Sequence, residues 1–315
     1  MTVALQSELQ SVLHPAGPDA GVIAHMAWVL FGGGALIFLS VMVLLVLSLR
    51  GDGRPVRPMR WIAGAGIAFP VEVLSALLVW STWRSGQLSA QTSRQPLQIS
   101  VTAKMWWWEV RYRDSATGRD IVSANEIHLP AGQNAYIGLT SGDVIHSLWI
   151  PALNGKMDAI PGRVTGLTLH AAKPGVYRGQ CAEYCGEQHA RMALHVVAHT
   201  PQEFAAWLAR QAQPAAPPAN ALLTRGRDAF IANRCSACHT VRGMQGDMGA
   251  RLGPDLTHIG SRMHIAAGTL RNHRGTLAGW IADPQAIKPG ARMPASADID
   301  GETLRALATY LESLK

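Results

Sequence analysis

Cys181-Ala-Glu-Tyr-Cys185-Gly-Glu-Gln-His189-Ala-Arg-Met192 brings two thiols, an imidazole and a thioether into one short run. A second pair follows at Cys235-Ser-Ala-Cys238-His239, and the chain has no other cysteine. A disulfide framework links distant segments, whereas tight pairs followed by histidine read as cofactor ligation. With His146 upstream, the first run offers two thiolates, two imidazoles and one thioether. That soft set selects copper over hard cations, with zinc as the competitor. A structural zinc site closes on four Cys/His ligands and has no use for Met192. A mononuclear blue-copper site uses one cysteine; a second lets two metal ions share two bridging sulfurs.

Around this run the texture is that of short strands. Leu97–Ala103, Ile121–Leu129, Ala135–Leu139, Val164–Leu169 and Ala193–Ala198 are separated by turn signals such as Pro130-Ala-Gly, Ser141-Gly-Asp and Pro174-Gly. Strands spaced in this way over residues 95–200 predict an antiparallel sandwich or barrel.

Upstream, residues 1–94 read as an N-terminal segment and a transmembrane hairpin. Residues 26–49 carry no charge, and residues 61–83 carry one ionisable group, Glu72. Each run is long enough to cross a bilayer core of roughly 30 Å. The first lacks the basic leader and small-residue cleavage site of a signal peptide. Four arginines lie in the loop Arg50–Arg60 and neither Lys nor Arg lies in residues 1–24. The positive-inside rule therefore puts that loop in the cytoplasm and both termini outside. Glu72 reads either as a functional intramembrane carboxylate or as a neutral one bonded within a bundle.

Downstream, Pro201–Gln213 reads as an amphipathic helix, and Pro214-Ala-Ala-Pro-Pro-Ala219 as a semi-extended tether closing a linker at 201–219. A compact unit of residues 220–315 follows. Cys235-Ser-Ala-Cys238-His239 is the covalent haem c attachment signature, with a zinc knuckle or redox dithiol as the competing reading. Ala221–Ala232 reads as a leading helix, Leu252-Gly-Pro-Asp-Leu256 as a haem-packing loop, and Thr303–Leu314 as a closing helix with Leu304, Leu307, Leu311 and Leu314 at helical spacing. Met293, in Arg292-Met293-Pro294, is the expected distal ligand opposite His239. Met244, Met248, Met263, His258, His264 and His273 are its rivals.

The outer β domain resembles subunit II of the haem-copper oxidases, a cupredoxin fold with a binuclear CuA centre. Lys104-Met-Trp-Trp-Trp108, Ala124–Gly132, Asp143–Pro151, Lys156–Arg163 and Cys181–Met192 carry the resemblance, which extends to the hairpin; Trp61–Val71 looks like bacterial members. It implies His146, Cys181, Cys185, His189 and Met192 as copper ligands. Glu183 would add its backbone carbonyl, its side chain reaching a Mg ion shared with subunit I. Trp106 aligns with the family's electron-input tryptophan, against a packing role for the Trp106–Trp108 cluster. Asp158 would lie near the subunit I boundary, with no role assigned. The family's glutamate at the cytoplasmic start of the second helix has no counterpart in Glu72, eleven residues into the span. The C-terminal unit resembles a class I cytochrome c. Cys235 and Cys238 would form the haem thioethers, and His239 and Met293 would be axial, a pairing that raises the potential.

Together these imply a multidomain membrane protein with a two-helix hairpin, an all-β cupredoxin domain and an all-α cytochrome c domain. The resemblance is to subunit II with a fused cytochrome c, as in the caa-type cytochrome c oxidases. It implies subunits I and III, membrane lipid and an external donor (a cytochrome c or the bc1 complex) as partners, at a bacterial plasma membrane with both redox domains on the periplasmic side. Subunit I would reduce O2 to water with proton pumping. The equivalent subunit of a CuA-containing nitric oxide reductase and a free-standing membrane electron carrier are the alternatives; a quinol-oxidase subunit lacks the copper ligands. The net charge of +7 is scattered and carries no nucleic-acid reading.

Overall fold

The computed structural model describes residues 10–51, 57–88, 97–113, 118, 120–244, 252–296 and 298–315. Helix α1 runs Pro18–Arg50, and a second helical stretch comprises α2 (Pro58–Trp61), π-helical turns over Ile62–Ala68 and α3 (Phe69–Ser85). Pro70 cannot donate to the helical ladder, and its ring crowds the carbonyl four residues back. The wider π register passes this point, with Phe69 N–H bonding Gly64 O. Both stretches are long and apolar enough to cross a membrane, and their large apolar side chains, such as Phe38, Leu49, Leu78 and Val79, are exposed. The chain is membrane-anchored through them.

Helix α1 starts before its expected span because its first turns belong to the β domain, the one expected to be the outer domain. Asp19, Ala20 and Ala24 are buried, Ala16 N–H donates to Ala152 O (2.7 Å), and Ala172 N–H donates to Ala16 O (2.9 Å). Gly17 passes so close to the His170 and Leu153 carbonyls that no side chain fits there.

The outer domain is a sandwich of two five-stranded sheets, ordered β3-β2-β1-β5-β8 and β4-β10-β9-β6-β7. The strands are β1 (Leu97–Lys104), β2 (Trp107–Arg113), β3 (Asp120–Ala124), β4 (Glu126–Pro130), β5 (Ala135–Ser141), β6 (His146–Trp149), β7 (Lys156–Ala159), β8 (Thr165–Leu169), β9 (Gly175–Cys181) and β10 (Ala193–His199). The sheets are mixed rather than purely antiparallel: β1 pairs β5, and β10 pairs β4, in parallel. The expected run Ile121–Leu129 is in fact two strands, one in each sheet. Asn125 divides them in the left-handed region (φ 61°), where Asn is among the more tolerant residues. Its Oδ1 accepts from Trp108 N–H (2.9 Å), its N–H donates to Trp108 O (2.9 Å), and its carbonyl accepts from His195 N–H (3.0 Å). Trp108, Tyr112, Ile127, Leu139 and Leu148 fill the core between the sheets.

Helix α4 (Pro201–Ala212) opens on a Thr200–Glu203 capping box. It lays Phe204 and Trp207 on the sandwich, Trp207 stacking on His128 with centroids 4.0 Å apart. The Pro/Ala stretch behind it differs from a free tether. Ala215 N–H donates to Arg242 O (2.8 Å), the Arg242 guanidinium donates to Gln211 O and Ala212 O at the end of α4, and His258 Nε2 bonds Gln213 O (3.0 Å).

The C-terminal unit packs α5 (Ala221–Ala232), α6 (Arg274–Ala282), α7 (Pro284–Ile287) and α8 (Gly301–Ser313). Gly226 lets α5 cross α8 against Ala306 and Tyr310. Leu307, Leu311 and Leu314 are buried on the α8 side, with Leu304 packed against them. Asn125→Ala keeps the strained φ and leaves Trp108 N–H unpaired. It should destabilise the outer domain by about 3 kcal/mol, read as a lowered denaturant midpoint of the solubilised chain.

Candidate functional site

Strand β9 ends on Cys181 and β10 begins at Ala193, so the loop between them is closed by two neighbouring antiparallel strands. Cys181 N–H bonds Met192 O across its base (2.8 Å). Within it the Cys181 and Cys185 sulfurs stand 3.8 Å apart, far from the S–S bond length of about 2.05 Å, and both are free thiols. His146 Nδ1 lies 3.9 Å from Cys181 Sγ, His189 Nδ1 3.7 Å from Cys185 Sγ, and Met192 Sδ 3.9 Å from Cys185 Sγ. Glu183 O lies 3.2 Å from Cys181 Sγ. His146, Cys181 and Cys185 present ligand atoms all within 4.8 Å of one another, and all three are buried. Two sulfurs at bridging separation, flanked by two imidazole nitrogens, a thioether and a carbonyl, form a donor set that fits a pair of copper ions.

Asp143 arranges the first imidazole. Its Oδ1 bonds His146 Nε2 (2.8 Å), and Oδ2 accepts from Met105 N–H (2.7 Å). Burial opposes ionisation, but the bonds from His146, Met105 and Val144 hold the Asp143 carboxyl below the usual carboxylate range. With Nε2 engaged, Nδ1 is the nitrogen turned toward sulfur. The two thiols titrate as a unit: the Cys185 hydrogen bond pulls Cys181 down, and the Cys181 thiolate pushes Cys185 up.

The second site is a cavity of about 540 Å³, lined by Cys235, Cys238, His239 and Met293 with Leu256, Ile265, Leu277 and Trp280 among its apolar walls. A 3-10 turn, Cys235–Ala237, puts both cysteines on one turn behind Arg234, which is in the left-handed region (φ 57°). His239 Nδ1 bonds Pro254 O (2.8 Å), which leaves Nε2 for a ligand in the cavity. Burial lowers its pKa, keeping the imidazole neutral as metal ligation requires. Gly253 packs so closely on the ring that a side chain there would strike it. Arg262, buried and lining the cavity, donates to Asp255 O, while its Nε finds no partner among the described residues. A planar apolar group that carries carboxylates, attached through the paired cysteines, fits this donor set.

Among the described residues, the rivals of Met293 are engaged elsewhere or do not line the cavity. Met244 takes the Tyr310 hydroxyl, His258 bonds Gln213 O, and His273 caps α6. Met263 stands outside the cavity wall. His264 is on that wall but stacks on His195 with centroids 4.3 Å apart. Met248 lies outside the described residues.

Of the three tryptophans, Trp108 is fully buried core, and Trp107 lies under the Lys104 ammonium, 4.9 Å from its ring centroid. Trp106 both lines the haem-sized cavity and donates its indole N–H to Cys185 O (2.9 Å). Asp158 accepts from the Thr165 hydroxyl through its backbone, and Glu72 sits exposed on α3. Sequence reasoning missed Asp143, although an acid three residues before a ligand histidine is a usable signal. It also missed Arg262, Glu126 and Lys288, which nothing local marks.

The family described as cytochrome c oxidase subunit II, periplasmic domain, matches residues 113–199, and the cytochrome c family matches residues 223–315. Among curated relatives, a cytochrome c oxidase subunit 2 of Alkalihalophilus pseudofirmus is 37% identical over 217 residues, covering 69% of this chain and 61% of that one. That of Bacillus subtilis is 31% identical over 228 residues, covering 70% of this chain and 62% of that one. The chain thus spans a little under two thirds of the length of either. A solved periplasmic domain of cytochrome oxidase subunit II from Bradyrhizobium japonicum is 32% identical, with a TM-score of 0.35, covering 37% of this chain and 94% of that one.

Asp143→Asn should weaken copper retention by roughly 10–100-fold, as loss of an orienting partner does. Competitive chelator titration of the purified chain would show it, with the ligand loop otherwise folded.

Proposed function

We propose that the chain is a member of the cytochrome c oxidase subunit II family with a cytochrome c domain behind the copper-family domain, a reading supported by the matches over residues 113–199 and 223–315. From that premise we propose that it takes electrons from an external donor (a cytochrome c or the bc1 complex) and delivers them through haem c and a binuclear CuA centre to subunit I. There O2 is reduced to water with proton pumping. One observation carries this reading: Trp106 touches the copper-type loop through Cys185 O and also forms part of the wall of the haem-type cavity.

When bound, the two groups supply reversible one-electron chemistry, an electron lost by haem iron being gained by the copper pair with no atom transferred. The chain holds each in place. His146 Nδ1, His189 Nδ1, the Cys181 and Cys185 sulfurs, Met192 Sδ and Glu183 O are the copper donors. Cys235 and Cys238 would hold the haem covalently, His239 Nε2 and Met293 Sδ would supply its iron ligands, and Arg262 would pair with an acidic group of the haem. The Pro254 carbonyl and Gly253 fix the His239 ring in orientation. The buried sulfur site and the apolar cavity wall exclude water, which keeps reorganisation small. Glu183 turns its carbonyl to Cys181 while its exposed side chain lies beside Lys156 (4.0 Å), and a Mg site shared with subunit I at that carboxylate is part of the same proposal.

The arginine asymmetry across the hairpin supports a bacterial plasma-membrane location with both redox domains on the periplasmic side. Residues 26–49 and 61–83 contain no histidine to ligate haem, so oxygen chemistry falls to a partner, and the exposed apolar helices are the surface that subunits I and III would cover.

Purification of the native complex and oxygen-electrode measurement with reduced cytochrome c tests the reading. Oxygen consumption supports it; turnover of nitric oxide without oxygen contradicts it. His146→Ala or Cys181→Ser should abolish the near-infrared copper absorption and leave the haem c bands intact. Met293→Ala should lower the haem potential in a redox titration, and an unchanged potential would transfer the axial role to another residue.

A further inference from the structure

The cytochrome unit touches the copper-family domain along two short strips. In the first, Ile287–Gly290 lies across the ligand loop at Glu187–Arg191. Arg191 Nη1 donates to Ile287 O, Gln188 Nε2 donates to Pro289 O (2.5 Å), and Gly290, in the left-handed region (φ 79°), sits directly against the Glu187 carboxylate. In the second, Ala193 N–H donates to Ala267 O (3.0 Å), Met263 N–H donates to Glu126 Oε1 (2.7 Å), and His195 stacks on His264.

Lys288 joins the two strips. Only 3% exposed, its ammonium donates to Trp106 O (2.9 Å), Arg191 O (2.9 Å) and Ala266 O (3.4 Å). Burial of a charge is costly unless it is fully hydrogen-bonded, and here three carbonyls from three segments supply its bonds. Two of them belong to the copper-family domain: one on the tryptophan that contacts Cys185 O, the other inside the ligand loop between His189 and Met192. The third belongs to the cytochrome unit. On the other side, Lys288 O accepts from Ala291 N–H (3.1 Å), at the start of the loop that bears Met293.

We propose that Lys288 is a positioning residue for transfer between the two sites. It pins the Met293 loop of the cytochrome unit onto the Met192 loop of the copper-family domain, so that the haem cavity stays closed against Trp106. The linker is consistent with a fixed rather than a roaming partner, since Arg242 and His258 tie it to the cytochrome unit. The inference rests on the electron-transfer reading above for its consequence, but not for the docking itself.

The test uses the full chain in its complex and the substitution Lys288→Met, which keeps the stem and removes the charge. The Met263 and Ala193 amides bond across the contact, so hydrogen exchange of the peptides that contain them reports docking directly, with or without metal. Their protection should fall roughly tenfold or more, the loss of at least about 1.4 kcal/mol of docking. Haem-to-copper transfer after flash photoreduction should slow, with the haem bands and the near-infrared copper band unchanged. Unaltered protection overturns the proposal, as does a slower rate accompanied by a lost copper band, which would make Lys288 a support of the ligand loop alone. Wild-type chain that shows protected amides but no transfer between the sites would instead overturn the electron-transfer reading and leave the docking standing.

Discussion

Two sulfur atoms held close without bonding to each other are the constraint around which the outer domain is organised. Here the separation of 3.8 Å is imposed by a loop whose ends are neighbouring antiparallel strands, with Cys181 N–H bonded to Met192 O. His146 comes from a different strand pair and is turned by Asp143 so that Nδ1 faces the sulfurs. The sandwich therefore acts as a rigid clamp: its core is filled, and the donor atoms are presented at one end, where β6 and β10 begin and β9 ends. Such preorganisation suits redox chemistry that must change charge without changing shape.

The same logic runs through the cytochrome unit in helical form. Gly226 permits the close crossing of α5 and α8 that builds the cavity floor, and Gly253 permits the close approach that fixes the His239 ring. Both glycines act by what they lack. Arg262 shows the converse, a buried guanidinium whose Nε finds no partner among the described residues, in a cavity that suits an acidic, planar ligand. The two units meet through polar contacts built around backbone carbonyls rather than through a broad apolar face. That kind of contact specifies register closely, because each carbonyl accepts along a narrow range of directions.

Much of this was legible in the sequence wherever chemistry is local. Both cysteine runs, the hairpin, α5 and the β1, β5 and β10 strands were readable because ligand spacing, apolar length and periodicity are short-range signals. Asn125 shows where that reading stops: Ile121–Leu129 has the composition of one strand, and only a left-handed residue bonded to Trp108 divides it between two sheets. Strands β6 and β7, four residues each, are too short for alternation to show. The parallel pairings are set by chain crossings that no window of sequence contains. Lys288 and Arg262 look like ordinary surface cations until the fold buries them. The semi-extended linker kept its composition but not its freedom, since Arg242 and His258 reach back to it from the cytochrome unit.

The proposed electron transfer runs between two sites on one chain, across a contact the chain itself makes. The most direct measurement is photoreduction of haem c in the isolated, fully loaded chain, with haem reoxidation and copper-band bleaching followed together over a range of protein concentrations. Transfer within one chain gives matched kinetics with a rate independent of concentration. A rate proportional to concentration, or haem that stays reduced while the copper band persists, would contradict it.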